Sequence, residues 1–229
     1  MVFRYSPDIV SAAFREKGGG AVEEVGPQIH KVPLLTPAFC REIVNVTECV
    51  GRWETEAQND RYLPRVHDGP EETVPTRAKP YACRFNPKEQ ETACDADFGT
   101  KSVFSIQYAD GLFETFNEII DRHLLPVAAK IWPTYRMRTR RIPYVLRYDA
   151  QDKSLHPGMN LHWEQMAFAL AVYLNDNFDG GGTYFPRWKL VTGRGEIGTA
   201  IFYPGGVSHE HGALDITRGR RYVLICDFY

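Results

Sequence analysis

Six apolar runs follow one another in the C-terminal part of the chain: RRIPYVLRY (140–148), MAFALAVYLN (166–175), GGTYFPRWKLV (181–191), GTAIFYPG (198–205), SHEHGAL (208–214) and RRYVLICDFY (220–229). They are rich in β-branched and aromatic residues and bounded by Gly, Asp, Asn and Pro clusters, which marks short strands ended by turns. No periodic stretch between them offers a crossover helix, so antiparallel pairing in two sheets is favoured over a parallel α/β sheet. The expected fold is mainly β with flanking helices: a double-stranded β-helix (jelly roll) supported by N-terminal helices.

Upstream of the strands, Leu112, Phe113, Phe116, Ile119, Ile120 and Leu124 recur at helical spacing after Asp110, and Pro126 should kink or split that helix. Residues 54–108 carry many Asp, Glu, Pro and Asn and little periodicity, which is the place for a lid or substrate-selecting loop. Before them, IHKVPLL (29–35) reads as a strand, and Thr36 with Pro37 caps a helix whose Phe39, Ile43, Val46 and Val50 share a face as far as Gly51. Residues 1–28, with a short helix near Ser6-Pro7 and the run Gly18-Gly19-Gly20, read as an N-terminal appendage to one domain spanning 29–229.

The 229 residues, 43% hydrophobic and 24% charged, suffice for one domain with a sizeable core, and the formal charge of -2 gives no global attraction to nucleic acid or anionic membrane. No apolar run approaches bilayer-spanning length and the opening lacks a signal-peptide pattern, so a soluble, cytoplasmic protein is expected. The odd, scattered set Cys40, Cys49, Cys83, Cys94 and Cys226 suggests free thiols. The sequon at Asn45 falls inside a predicted helix and reads as chance. Arg136, Arg138, Arg140 and Arg141 read as a solvated face rather than a nucleic-acid patch.

Chemistry concentrates in two places. In Leu161-His162-Trp163-Glu164, an imidazole and a carboxylate at i and i+2 project from one face just before an apolar strand. In Ser208-His209-Glu210-His211-Gly212, two histidines stand in the same relation, and Arg221 follows ten residues after His211. An H-x-E pair joined by a distant histidine forms a two-histidine, one-carboxylate set that leaves positions open on a non-haem Fe(II). A guanidinium near the start of the last strand suits a bidentate carboxylate partner. By itself an H-x-E is more often a plain hydrogen-bonding pair, so its force lies in the combination. His30, His67, His123 and His156 have no partner at ligand spacing and read as ordinary histidines.

At these residues the chain resembles the C-terminal catalytic domain of procollagen lysyl hydroxylases, within the prolyl 4-hydroxylase-like superfamily. The resemblance spans 29–229 and rests on Arg147-Tyr148, His162-x-Glu164, Tyr173-Leu174-Asn175, Asp179-Gly180-Gly181-Gly182-Thr183-Tyr184-Phe185, Pro204-Gly205, His209-x-His211 and Thr217-Arg218-Gly219-x-Arg221-Tyr222. It implies an Fe(II)- and 2-oxoglutarate-dependent dioxygenase that consumes O2, with ascorbate as an optional accessory. His162, Glu164 and His211 would hold the metal and Arg221 the C5 carboxylate of 2-oxoglutarate. Glu164 stands where the family has aspartate. The family spacing to Arg221 selects His211 over His209, leaving His209 a neighbouring or packing residue. Tyr173 falls where related hydroxylases place a tyrosine on the C5 carboxylate, whereas lysyl hydroxylases carry a small residue; Tyr148 and Asn175 are weaker candidates.

The resemblance suggests a lysyl or prolyl residue in a peptide as substrate. The large N-terminal glycosyltransferase portion of animal lysyl hydroxylases has no counterpart in these residues, so a free amino acid or other small molecule stands beside it. Two other classes remain: a jelly-roll binding protein without turnover, and a cupin-type metal hydrolase that needs the metal but not the arginine. Dependence on 2-oxoglutarate separates all three.

Overall fold

The structure, a computed structural model, describes residues 2–55, 65–66, 102–137, 139–152, 154–193 and 196–229. Two antiparallel sheets face each other. The larger is eleven-stranded, and its main path runs β1 (Glu23–Gly26), β2 (Ile29–Pro33), β13 (Thr199–Pro204), β9 (Phe168–Tyr173), β15 (Ile216–Phe228), β7 (Tyr144–Asp149), β5 (Ser102–Ser105), β3 (Glu54–Thr55). Three short strands branch from it: β10 (Phe178–Gly180) and β6 (Arg140–Arg141) on β15, and β4 (Arg65–Val66) on β6. The smaller sheet has four strands in the order β12 (Leu190–Thr192), β11 (Thr183–Phe185), β14 (His211–Ala213), β8 (Met159–His162). This is the expected jelly roll.

The period-two alternation of the central strands divides the core in two. Leu170, Val172, Phe202, Leu224, Cys226 and Phe228 face the helices, whereas Ala169, Ala171, Tyr173, Ile201, Tyr203 and Val223 face the smaller sheet. Register aligns the second set into rows: Tyr203, Ala169 and Asp227 in one, Ile201, Ala171, Ile225 and Tyr144 in the next, then Tyr173, Val223 and Leu146, then Arg221 beside Tyr148. Two alanines at the middle of this floor keep the space above it open to larger neighbours.

The helices lie against the other face. α1 (Ala12–Lys17) is short; α2 (Pro37–Val50) runs between the expected caps, with the Thr36 hydroxyl accepting from the Phe39 amide and Gly51 left-handed at φ 65°. Beyond α3 (Leu112–Ile119) comes a π-helical turn, Ile120–Leu124, before α4 (Leu125–Ile131). Pro126 accounts for it: without an amide hydrogen, and with its ring against the carbonyl one turn back, it breaks the regular ladder. The segment before Gln28, read as an appendage, contributes Phe3, Val10 and Phe14 to the same core as α2 and α3, and supplies β1 to the sheet edge. Of the expected loop region, 56–64 and 67–101 lie outside the described residues, as do His67, Cys83, Cys94 and Arg138; Cys40, Cys49 and Cys226 are free thiols. Among the described residues, no helix is long and apolar enough to cross a membrane.

Two further expectations change. Arg140 and Arg141 are not a solvated face: Arg140 bonds Asn117 and Asp121 at 2.7 Å each, tying the helices to the sheet, and Arg141 approaches the buried Asp227 at 3.9 Å. Sequence reading also passed over β8 and β10, whose few residues are too short for alternation to register.

Candidate metal centre

His162 ends β8 and His211 begins β14, and the two are directly paired across the smaller sheet. Glu164 sits in the link from β8 to β9, past the strand end, and the turn after β13 clasps that link. The Gly206 amide donates to the Glu164 carbonyl at 2.7 Å and the Gly205 amide to the Ala167 carbonyl at 2.8 Å. A Cβ on Gly205 would stand 1.9 Å from the Met166 carbonyl oxygen, so glycine is required for this approach.

The three side chains converge. Glu164 Oε1 lies 3.4 Å from His162 Nε2 and 3.8 Å from His211 Nε2, and one ligand atom from each residue falls within 4.8 Å of the others. Both rings are oriented alike from behind. His162 Nδ1 donates to the Asn160 carbonyl at 2.8 Å and His211 Nδ1 to the His209 carbonyl at 2.9 Å. A carbonyl can only accept, so in the neutral rings the hydrogen is on Nδ1 and the Nε2 lone pairs face Glu164, the tautomer a metal requires.

Electrostatics agree with that assignment. Burial, assisted by the neighbouring His162, lowers His211 to about 4, so it is neutral at physiological pH. Burial opposes ionisation of Glu164, but in the metal-free site the hydrogen bond and charge of His162, which need the Nε2 proton that a metal would replace, win with His211 and Arg141 nearby and hold its carboxyl well below the usual range. A carboxylate and two imidazoles are the donor set of a facial Fe(II) site.

Farther along the same interior, Arg221 is 2% exposed and lies between the rings of Tyr148 and Tyr173, at 5.3 and 5.6 Å from their centroids. Its Nη2 reaches the Thr183 hydroxyl at 3.4 Å, Tyr173 donates to the same oxygen at 3.2 Å, and Arg221 Nε has no hydrogen-bond partner among the described residues. No carboxylate among the described residues pairs with it. A buried guanidinium without a counter-ion is costly, and the cost is relieved by an anionic ligand. Positive φ at Gly180, Gly181 and Gly182 makes the turn beneath it, where a Cβ on Gly181 would touch Arg221 Cδ at 3.3 Å.

The remaining sequence candidates separate. Asn175 is structural, accepting from the Tyr222 amide at 2.8 Å. His209 does not share a face with His211, because it belongs to a 3-10 turn, Val207–His209, where strand alternation does not apply. Its ring packs on Trp188 and bonds the Pro27 carbonyl at 3.0 Å, and only its own carbonyl serves His211. His30 packs on Trp132, His123 bonds Tyr5 and His156 closes a turn with Gly158. Thr183 and Tyr203 were not anticipated. Tyr203 is buried with its hydroxyl 2.9 Å from His211 Nε2, and burial, with Glu164 nearby, raises its phenol well above the usual range. Its inward alternation with Ile201, just before Pro204-Gly205, was the available signal.

The fold is the jelly roll found in 2-oxoglutarate–Fe(II) oxygenases, and His162, Glu164 and His211 form a donor set that fits a metal ion. No family model matches the chain. In sequence it is a relative of procollagen lysine hydroxylases: it is 27% identical over 212 residues to the multifunctional procollagen lysine hydroxylase and glycosyltransferase of Rattus norvegicus, covering 91% of this chain and 24% of that protein. To the protein of the same description from Caenorhabditis elegans it is 25% identical over 209 residues, covering 89% and 24%. The chain thus spans about a quarter of the length of these curated relatives. In fold it matches a truncated viral collagen prolyl hydroxylase from Paramecium Bursaria Chlorella virus-1, with a TM-score of 0.52 at 14% identity over 89% of this chain and 90% of that one.

Proposed function

We propose that the chain is an Fe(II)- and 2-oxoglutarate-dependent dioxygenase that hydroxylates an unactivated C–H bond. One observation carries the reading: the His162, Glu164 and His211 donors and the buried Arg221, which has no carboxylate partner among the described residues, open on the same interior between the two sheets. A metal-dependent hydrolase would need the first set alone, and a binding protein would not need the oriented imidazoles. His162, Glu164 and His211 would hold the iron; Arg221, with Thr183, Tyr173 and Tyr148 around it, would hold the distal carboxylate of 2-oxoglutarate. With both bound, the iron supplies the oxidising chemistry: O2 and 2-oxoglutarate become succinate and CO2, and one oxygen atom enters the substrate C–H bond.

The protein's own part is orientation and water exclusion. Two backbone carbonyls fix the imidazoles, the Gly205-Gly206 turn fixes the link that carries Glu164, and a bidentate guanidinium sets the direction of the dicarboxylate. Kinship to procollagen lysine hydroxylases supports a lysyl or prolyl residue in a peptide as substrate, with ascorbate as an accessory. The free thiols of Cys40, Cys49 and Cys226 support a cytoplasmic setting. The test is anaerobic addition of Fe(II) and 2-oxoglutarate, reading the visible charge-transfer band of the chelate, then succinate release in air. Absence of both from folded protein overturns the assignment.

A further inference from the structure

Tyr203 stands in the site without a role in holding metal or in the Arg221 pocket. Its hydroxyl lies 2.9 Å from Nε2 of His211, while Nδ1 of that ring is committed to the His209 carbonyl. The phenol is therefore the donor and Nε2 the acceptor. The ring has little freedom, 3% exposed and set edge-on to Phe185 at 5.1 Å and to His211 at 4.9 Å.

The lone pair that Tyr203 occupies is the one a metal needs, and it cannot serve both. When the metal takes it, a buried donor loses its acceptor, a loss that is unfavourable unless another oxygen replaces it. On the floor beside Tyr203 its cross-strand partner is Ala169, whose methyl offers no acceptor.

We propose that Tyr203 is a binding residue for the cosubstrate: its hydroxyl caps His211 in the metal-free protein and turns to donate to an oxygen of 2-oxoglutarate once the metal is bound. This rests on the oxygenase reading above and deepens it. It makes Tyr203 an opponent of the metal and a supporter of the cosubstrate, two effects of opposite sign.

The test uses Tyr203→Phe, which removes one oxygen and keeps the ring, with Mn(II) as a redox-silent probe and calorimetric titration as the readout. Without 2-oxoglutarate, Mn(II) should bind the variant as tightly as wild type or more tightly. With Mn(II) bound, 2-oxoglutarate should bind the variant about tenfold more weakly. Unchanged 2-oxoglutarate affinity overturns the proposal. So does weakened Mn(II) binding with unchanged 2-oxoglutarate affinity, which would mean that the hydroxyl serves Glu164. A parallel fall of both affinities, with a lowered melting temperature, would mark a structural role and overturn it as well. If wild type binds neither Mn(II) nor 2-oxoglutarate, the oxygenase reading itself is lost; if wild type binds both and the variant behaves identically, only the Tyr203 assignment fails.

Discussion

His162 and His211 face each other as register partners across β8 and β14, with ring centroids 4.4 Å apart and both Nε2 atoms turned to Glu164. Two candidate ligands are thus set by one strand pairing, whereas the third depends on a link held by a separate turn.

Glu164 should be the most adjustable of the three. Glu164→Ala removes the only carboxylate of the group and should weaken Mn(II) or Fe(II) binding by at least about 100-fold. Glu164→Asp, one methylene shorter on the same backbone, should retain measurable binding. Metal titration followed by calorimetry checks both, and an Ala variant with wild-type affinity would show that the donor set is wrong.

The turn that holds that link should be nearly as sensitive. In Gly205→Ala the new methyl meets the Met166 carbonyl oxygen at 1.9 Å and the Glu164 carbonyl oxygen at 3.0 Å, so the link must shift. We expect a stability loss of about 2 kcal/mol or more in urea denaturation. Metal affinity should fall with it, although no ligand is altered. Wild-type stability in this variant would mean that the close approach is not required.

Arg221 should show effects of opposite sign on stability and binding. Its buried guanidinium has no carboxylate partner among the described residues, so Arg221→Met, close in volume and uncharged, should stabilise the ligand-free protein by about 1–3 kcal/mol while abolishing 2-oxoglutarate binding. Arg221→Lys should bind 2-oxoglutarate weakly, because a point charge cannot reproduce the fork. Denaturation with and without 2-oxoglutarate measures both quantities; a destabilised Met variant would show that the cation is compensated.

Acid should unfold the metal-free protein in a defined window. His211 titrates near 6.5 when unfolded and at about 4 when folded, so between those values the unfolded chain binds more protons and stability falls as pH falls. The loss attributable to His211 is at most about 3 kcal/mol. Glu164, held below its usual range, adds a further loss as pH drops below its unfolded value of 4.5. Urea midpoints in EDTA at pH 7 and pH 4.5 should differ for wild type and differ less for His211→Gln; equal slopes would exclude a buried neutral imidazole.

Much of this protein was legible in the chain alone, because it is written in local patterns. Caps at Thr36, Pro37 and Gly51 bounded α2, β-branched and aromatic runs between Gly, Asp, Asn and Pro clusters marked the strands, and the ten-residue interval from His211 to Arg221, matched to the family it resembles, joined a candidate ligand to a candidate anion anchor. Local pattern failed where contact with distant residues decides the geometry. His209 was turned away by a 3-10 turn packed on Trp188, Arg140 was drawn inward by Asn117 and Asp121, and Tyr203 became part of the site through strand register. Backbone propensity and side-chain periodicity act over a few residues, so sequence by itself determined the elements and the chemical types available. Which side chains share an interior, which nitrogen faces it and whether Arg221 meets a counter-ion depend on pairing between strands far apart in the chain, and only the tertiary structure decided those.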